Sequence, residues 1–283
     1  MKIVRFGARG EERPGLVDGD HIVRDLSGVI PDWTPERLAP AELARIAALN
    51  PKNLPAAPGG ARLGVPVQGV GKFIAIGLNF TDHAAEAKRA VPAEPVVFTK
   101  AISCLAGPDD EVMLPRGSTH TDWEVELGVV IGKTARYVEA GEALAHAAGY
   151  CLVNDLSERE FQNDRGGTWD KGKGCDTFGP VGPWLVTADE AGNPQDLDLW
   201  LDVNGVRYQN GHTRNMIFPV AELIAYVSCF MTLEPGDILT TGTPAGVGAG
   251  LKPPLFLKPG DTMRLGSRKL GTQEHRVAAW RNL

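Results

Sequence analysis

The chain has 283 residues, with 35 acidic and 29 basic side chains and a net charge of −6. Hydrophobic residues make up 43%, a share that is typical of globular proteins and excludes a mainly disordered chain. The acidic balance also argues against sequence-independent nucleic-acid binding, which needs a basic surface. The 34 glycines and 21 prolines disfavour a helix bundle and favour short strands joined by shaped loops.

No targeting or membrane segment is visible. A strand-like KIVRF follows Met1 directly, without the charged and apolar regions of a signal peptide. No apolar run approaches the roughly 18 residues of a membrane span. The four scattered cysteines form no CxxC pair and are expected to be buried small hydrophobes in a reducing compartment. We therefore expect a cytoplasmic protein that binds neither nucleic acid nor membrane.

The N-terminal residues are predicted to form a small unit of their own. Residues 2–6 alternate like a strand, and a hairpin is predicted to turn at Asp18-Gly19. An alanine- and leucine-rich helix follows at residues 40–49. Residues 51–61 hold three prolines and two glycines, which is typical of a linker. The predicted domains are a small α+β unit over residues 1–60 and a larger domain over residues 61–283.

The larger domain is predicted to be β-rich. Strands are expected at residues 73–77, 96–100, 125–131 and 149–155. Asn204-Gly205 predicts a type I′ hairpin turn. One amphipathic helix is predicted after Pro219, and two Pro-Gly-Asp turns (235–237 and 259–261) are each expected to introduce a short strand. The fold class predicted is therefore α+β, dominated by strands.

Two glutamates mark the most informative segment, Asp122-Trp-Glu-Val-Glu-Leu-Gly. In a strand, Glu124 and Glu126 point to the same face. The apolar neighbours imply burial, where two carboxylates repel each other unless a cation neutralises them. Carboxylate ligands suit Mg²⁺ or Mn²⁺. The alternative is an exposed acidic strand face.

A third carboxylate, Asp155, ends the apolar segment that begins at Gly149. Strand ends deliver side chains to sites. The alternative role is a helix N-cap. We assign that cap to Ser157, at the start of a helix through residues 158–163, which leaves Asp155 as a third metal ligand.

His83 and Glu86 are three residues apart, and a helix would place them on one face. A carboxylate beside an imidazole fixes the tautomer and raises the basicity that a general base needs. A surface i,i+3 pair is the alternative.

Two further segments offer groups for an anion. Lys171 and Lys173 lie in a predicted long glycine- and proline-rich loop, where a lysine can reach an anion or can simply be solvated. The segment that starts at Thr240 (TTGTPAGVG) offers hydroxyls and backbone N–H groups for a carboxylate. It lacks the phosphate-loop and dinucleotide glycine patterns.

Together these segments resemble the fumarylacetoacetate hydrolase superfamily over roughly residues 70–280. The matching segments, in the family's order, are GLNF with His83 and Glu86, DWEVELG, Asn154-Asp155, GKGCDTFGP and TGTPAGVG. The resemblance implies a mixed β-roll or sandwich with few helices, usually as a homodimer.

The resemblance also implies roles for individual residues. Glu124, Glu126 and Asp155 would hold Mg²⁺ (or Mn²⁺), with Lys173 beside the substrate. His83 and Glu86 would activate water from a mobile lid. The residues implied in substrate binding are Gln162 and Thr243, with Gly242 beside Thr243. Arg165 is a separate candidate for contacts to the distal carbons of the substrate, and the alternative is an ordinary loop residue.

Gly174-Cys175 stands where many members carry Ser-Phe. This form resembles the subgroup that hydrolyses 2,4-diketo-3-deoxy sugar acids of the rhamnonate or fuconate type, in L-rhamnose catabolism for example, to pyruvate and a hydroxy acid such as lactate. The alternatives on the same metal site are acylpyruvate hydrolysis, oxaloacetate decarboxylation, keto–enol isomerisation and ureidoglycolate cleavage. A non-enzymatic oxo-acid binder is the remaining alternative.

Overall fold

The computed structural model describes residues 1–87 and 89–282. In this part of the chain there are seventeen β-strands, most of them short, as the glycine and proline content predicts. The strands are β1 (Lys2–Phe6), β2 (Arg13–Val17), β3 (Val23–Asp25), β4 (Phe73–Gly77), β5 (Val96–Thr99), β6 (Leu105–Ala106), β7 (Val112–Met113), β8 (Thr121–Asp122), β9 (Val125–Ile131), β10 (Ala147–Asn154), β11 (Ser157–Glu158), β12 (Gly179–Thr187), β13 (Asp198–Val203), β14 (Val206–His212), β15 (Ile238–Thr240), β16 (Thr262–Ser267) and β17 (Gly271–Ala278).

Seven α-helices lie in the same described ranges, and only two of them reach eight residues. They are α1 (Pro40–Ala47), α2 (Thr81–Glu86), α3 (Ala140–Ala143), α4 (Arg159–Asn163), α5 (Asp170–Lys173), α6 (Ala188–Ala191) and α7 (Val220–Ser228). No helix in residues 1–87 or 89–282 has the length and apolar character needed to cross a membrane.

A large mixed sheet forms the centre of the molecule. Its strand order is β3-β2-β1-β12-β10-β9-β15-β4-β5, and β6 pairs with β12 outside this path. The central strand β9 (VELGVVI) is buried along its whole length, which accounts for its nearly continuous apolar sequence. It pairs antiparallel with β10 and β15, and β15 in turn pairs parallel with β4.

A second, five-stranded sheet has the order β14-β13-β16-β17-β7. Its inward residues share one hydrophobic core with the large sheet. Gln273 of β17 joins the two sheets, because its side-chain amide donates to the carbonyl oxygens of Leu152 and Gly182, each at 2.9 Å. The α+β, β-rich fold class is therefore confirmed.

Most of the predicted elements are present. Strands β4 and β9 begin and end where the sequence predicts. Asn204 and Gly205 both have positive φ, at 51° and 78°, as a type I′ turn requires. Strands β15 and β16 follow the two Pro-Gly-Asp turns.

Three local predictions are wrong. Ser157 does not cap a helix: it lies in β11, which pairs with β8, and the N-cap of α4 is Glu158. The long loop predicted over residues 169–186 instead contains α5 and nearly all of β12. Of the cysteines, Cys104 and Cys151 are buried as expected, whereas Cys229 is exposed.

The N-terminal strands extend the large sheet. Strand β1 pairs with β12 through Lys2↔Val186 and Ile3↔Leu185, and β2 and β3 continue the sheet outward from β1. The boundary between residues 60 and 61 stays a prediction.

Candidate active site

Three carboxylates meet at one end of the large sheet. The register of β9 and β10 pairs Val125 with Asn154, so that Glu124 before β9 lies beside Asp155 after β10. The Asp155 N–H donates to the Glu124 carbonyl at 2.9 Å. One oxygen each of Glu124, Glu126 and Asp155 lies within 4.8 Å of the others. All three residues are buried, and the structure therefore brings the predicted ligand set together.

Three cations surround these acids. The Lys173 Nζ lies 2.7 Å from both Glu124 Oε2 and Asp155 Oδ2. The Lys100 Nζ lies 2.6 Å from Asp155 Oδ1, and the Arg159 Nη2 lies 2.7 Å from Glu124 Oε1.

The ion pairs shift the titration of their members. Burial alone would raise the pKa of Glu124, but the charges of Lys173 and Arg159 outweigh it and hold that pKa well below its usual range. Burial alone would lower the pKa of Lys173, but the negative charges of Asp155 and Glu124 outweigh this effect and raise that pKa. These side chains are therefore held in their charged forms.

Glu126 has no salt-bridge partner among the residues that the structure describes. Its Oε2 accepts hydrogen bonds from the Thr240 hydroxyl and from the Gly242 N–H, the latter at 2.8 Å. Burial, followed by the charges of Asp155 and Glu124, raises the pKa of Glu126 well above its ordinary value. An additional cation beside Glu126 would stabilise the charged form of this buried carboxylate.

The donor set fits a hard divalent ion. All three groups offer carboxylate oxygens, the ligands that Mg²⁺ and Mn²⁺ take in proteins. Neither histidine nor cysteine belongs to this cluster, which disfavours a zinc or copper centre. Glu124, Glu126 and Asp155 are thus the residues that would hold a metal.

His83 and Glu86 lie on α2, and their Nδ1 and Oε2 atoms are 3.2 Å apart. The Gly246 N–H donates to both oxygens of Glu86, at 3.0 and 3.2 Å. This contact holds Glu86 against the loop that follows β15. Since Nδ1 faces the carboxylate, the tautomer with a proton on Nδ1 leaves Nε2 as the basic nitrogen.

Asp122 fixes the same loop from the other side. Its carboxylate accepts the N–H groups of Gly248 at 2.7 Å and of Ala249 at 3.0 Å, and it also pairs with Arg159 at 2.7 Å. The loop that positions Glu86 is therefore tied to the arginine that contacts Glu124.

One cavity of about 500 Å³ joins these groups. The predicted site residues on its wall are His83, Glu86, Glu124, Glu126, Gln162, Lys173 and Thr243. Its apolar wall contains Ile76, Leu78, Phe98, Trp169, Leu251 and Pro254. The size and the mixed lining suit a small polar metabolite.

The remaining predicted residues lie elsewhere. Asp155 lies behind the wall as part of the carboxylate cluster. The N–H of Gly242 donates a hydrogen bond to Glu126. Arg165 is not part of the cavity wall: its guanidinium is exposed, bonds Glu160 at 2.8 Å and lies over the Phe161 ring.

The sequence reasoning missed Lys100, Arg159, Asp122 and Trp169. Lys100 is the last residue of the strand predicted at residues 96–100 and directly follows the observed β5, and a lysine that ends an apolar strand can indicate a buried ion pair. Trp169 lies against Gly77, where an added Cβ would stand 2.3 Å from the indole ring. No local pattern indicates that contact.

The mixed sheet and its buried carboxylate centre define the class of this protein. The family described as "Fumarylacetoacetate (FAA) hydrolase C-terminal" matches residues 72–278, and the chain belongs to the fumarylacetoacetate hydrolase family.

Particular relatives are similar over the full length. The chain is 59% identical over 284 aligned positions to the 2,4-didehydro-3-deoxy-L-rhamnonate hydrolase of a Sphingomonas species, covering 100% of this chain and 98% of the relative. Among solved structures, the fumarylacetoacetate hydrolase of Exiguobacterium antarcticum is 33% identical with a TM-score of 0.87, covering 99% of this chain and 100% of that one. A maleylpyruvate hydrolase from a Sphingobium species, in complex with manganese(II) ion and pyruvate, is 30% identical with a TM-score of 0.81 and the same coverage. The hydrolase relatives support an enzyme of this family.

Proposed function

We propose that this protein is a Mg²⁺-dependent hydrolase that cleaves the C3–C4 bond of a 2,4-diketo-3-deoxy sugar acid of the rhamnonate type. The products would be pyruvate and a hydroxy acid such as lactate. The full-length similarity to a 2,4-didehydro-3-deoxy-L-rhamnonate hydrolase supports the substrate class. The observation that carries the proposal is a single cavity with the carboxylate centre and the His83–Glu86 pair on its wall.

Glu124, Glu126 and Asp155 would hold the metal. When bound, Mg²⁺ supplies a Lewis acid for the oxo-acid oxygens and for the negative charge that develops during cleavage. Thr243 and Gln162 line the cavity beside this centre, and in this proposal their polar side chains would orient the substrate carboxylate and 2-oxo group. The apolar wall around Phe98 and Trp169 would receive the rest of the carbon chain.

His83 is the general base in this proposal. Its Nε2 takes a proton from water, and the water oxygen forms a bond to C4 of the substrate. Glu86 stabilises the imidazolium that results. The C4 oxygen then carries the negative charge of the tetrahedral adduct. As its C=O bond re-forms, the C3–C4 bond breaks and the electron pair passes into the pyruvate enolate. The enolate takes up at C3 the proton held by His83, and the hydroxy acid leaves with its new carboxyl group. Lys173, charged and buried at the carboxylate centre, offers its ammonium group to the developing negative charge.

The test is product analysis on a panel of oxo-acids. We expect pyruvate and the hydroxy acid in a 1:1 ratio from the rhamnonate-type diketo acid, measured by proton NMR in the presence of Mg²⁺. Oxaloacetate and the fuconate-type acid belong to the same panel. Decarboxylation needs no base to activate water, so a His83→Ala variant that keeps full turnover would favour a decarboxylase over a hydrolase.

Two accompanying expectations are tested separately. Replacement of Mg²⁺ by Mn²⁺ should retain activity, because both ions accept the same oxygen ligands. A homodimer, which the family resemblance implies, should give twice the 30.3 kDa chain mass in light scattering.

A further inference from the structure

A second group of metal-ligating side chains lies outside the cavity. His120, Glu158 and Glu160 each offer one ligand atom, and these atoms lie within 4.8 Å of one another. Two of the residues flank Arg159 in the chain, whose guanidinium points to Asp122 and Glu124. The group is therefore next to the candidate active site but separate from its carboxylate centre.

Glu158 is fully buried, with 0% of the residue exposed. Its Oε2 accepts hydrogen bonds from the hydroxyls of Ser118 and Thr121, the latter at 2.8 Å. Its Oε1 is buried and has no hydrogen-bond partner within residues 1–87 and 89–282. A buried carboxylate oxygen without a partner destabilises the fold. A bound cation would compensate this oxygen of Glu158.

His120 supplies a nitrogen ligand at the exposed side of the group. Its ring packs against Phe256, with centroids 4.7 Å apart, and its Nδ1 lies 2.9 Å from the Thr119 hydroxyl oxygen. The tautomer in which Nδ1–H donates to Thr119 leaves the Nε2 lone pair for a metal. Metal-bound histidines are commonly oriented by such a second hydrogen bond.

Glu160 already forms an ion pair with Arg165 through one of its two carboxylate oxygens. Its Oε1 accepts from Arg165 Nε at 3.1 Å and from Nη2 at 2.8 Å. Both side chains are partly exposed, and an exposed ion pair of this kind contributes little. Arg165 therefore acts as a weak competitor for Glu160.

We propose that His120, Glu158 and Glu160 form a second divalent-cation site that prefers Zn²⁺. Imidazole nitrogen and carboxylate oxygen are both zinc ligands, and an exposed side leaves the fourth position of a three-ligand site for water. This donor set differs from the all-oxygen centre formed by Glu124, Glu126 and Asp155, so the two sites select different ions. The site goes beyond the proposed hydrolase activity and does not depend on it.

The experiment is a Zn²⁺ titration of the full chain against a chromophoric chelator at saturating Mg²⁺. We expect a Zn²⁺ site in the parent protein that persists in Glu126→Gln, a variant at the all-oxygen centre. His120→Ala and Glu160→Gln should each weaken this site by about 10-fold or more, since each removes a ligand. Arg165→Gln should tighten it, because a neighbouring positive charge is removed.

His21→Asn is the matched control, because His21 is an exposed histidine far from the group in sequence and has a positive φ of 61°, which asparagine tolerates. His120 is exposed, so His120→Ala should fold, and its melting temperature without metal checks this. Absence of Zn²⁺ binding in the parent overturns the proposal. Zn²⁺ binding that is lost in Glu126→Gln and kept in His120→Ala also overturns it, as does an equal loss in His21→Asn.

Discussion

Glu126→Gln separates metal binding from stability. Glutamine keeps an oxygen that can accept the Thr240 hydroxyl and the Gly242 N–H, so the local hydrogen bonds survive. Its amide also replaces one of three buried carboxylates by a neutral donor that faces the other two. We therefore expect the metal-free protein to become more stable and the metal to bind more weakly.

The size of the stability effect follows from the spacing of the carboxylates. At the 4.8 Å limit and an effective dielectric constant of about 20, two unit charges interact by about 3 kcal/mol. Separately, replacing one of three charged ligands by a neutral one should weaken Mg²⁺ binding by about 10²-fold, which corresponds to about 3 kcal/mol. Burial and the neighbouring carboxylates raise the pKa of Glu126, so proton uptake there relieves the repulsion at little cost, and the gain in unfolding free energy is smaller than about 3 kcal/mol. About 2 kcal/mol corresponds to a rise of roughly 4–8 °C in Tm.

Isothermal titration with Mg²⁺ and thermal melting in a chelator measure the two quantities. Glu222→Gln, at an exposed position of α7, is the matched control and should change neither. A variant that binds Mg²⁺ as tightly as the parent would remove Glu126 from the ligand set. A metal-free variant that melts several degrees below the parent would show that the charge of Glu126 does not destabilise the folded protein.

Three further variants test other parts of the structure. His83→Ala should lower kcat by about 10²–10⁴-fold with unchanged Mg²⁺ affinity, and turnover equal to the parent would refute the base assignment. Gly77→Ala should raise KM and lower Tm, because the new methyl group meets the Trp169 ring; unchanged kinetics would contradict this packing. Burial lowers the pKa of His275 from 6.5 to about 4. Between these two pH values His275 is protonated in the unfolded chain but not in the folded one. The unfolding free energy should therefore fall by about 3 kcal/mol as the pH drops from 6.5 to 4. His275→Gln should flatten that part of the denaturation curve relative to the parent.

The carboxylate centre could be predicted because strand geometry is local. Extended backbone at the start of β9 places Glu126 and the preceding Glu124 on one face. An apolar segment that ends in Asp155 shows where the chain delivers a third acid. The turn at Asn204-Gly205 was predictable for the same reason, since its positive φ values depend on two adjacent residues.

The cationic partners could not be predicted in the same way. Lys100 and Asp155 are 55 positions apart and meet only through the fold. The helix α5 is another case: the Asp170 carboxylate accepts the Thr99 hydroxyl at 2.9 Å, and the Phe98 and Trp169 rings pack edge to face at 5.2 Å. These tertiary contacts override the loop preference of a glycine-rich segment. The same contacts bury Lys173, which the sequence suggests is solvated or free to reach an anion.

The most direct test of the proposed hydrolase is pyruvate release from the rhamnonate-type 2,4-diketo-3-deoxy acid, followed with and without Mg²⁺ in a chelator-treated sample. We predict equimolar pyruvate and lactate only when Mg²⁺ is added, with Glu126→Gln requiring more Mg²⁺ to reach half of the maximal rate. Equal turnover in the chelator, or a product that retains the C3–C4 bond, would contradict the proposal.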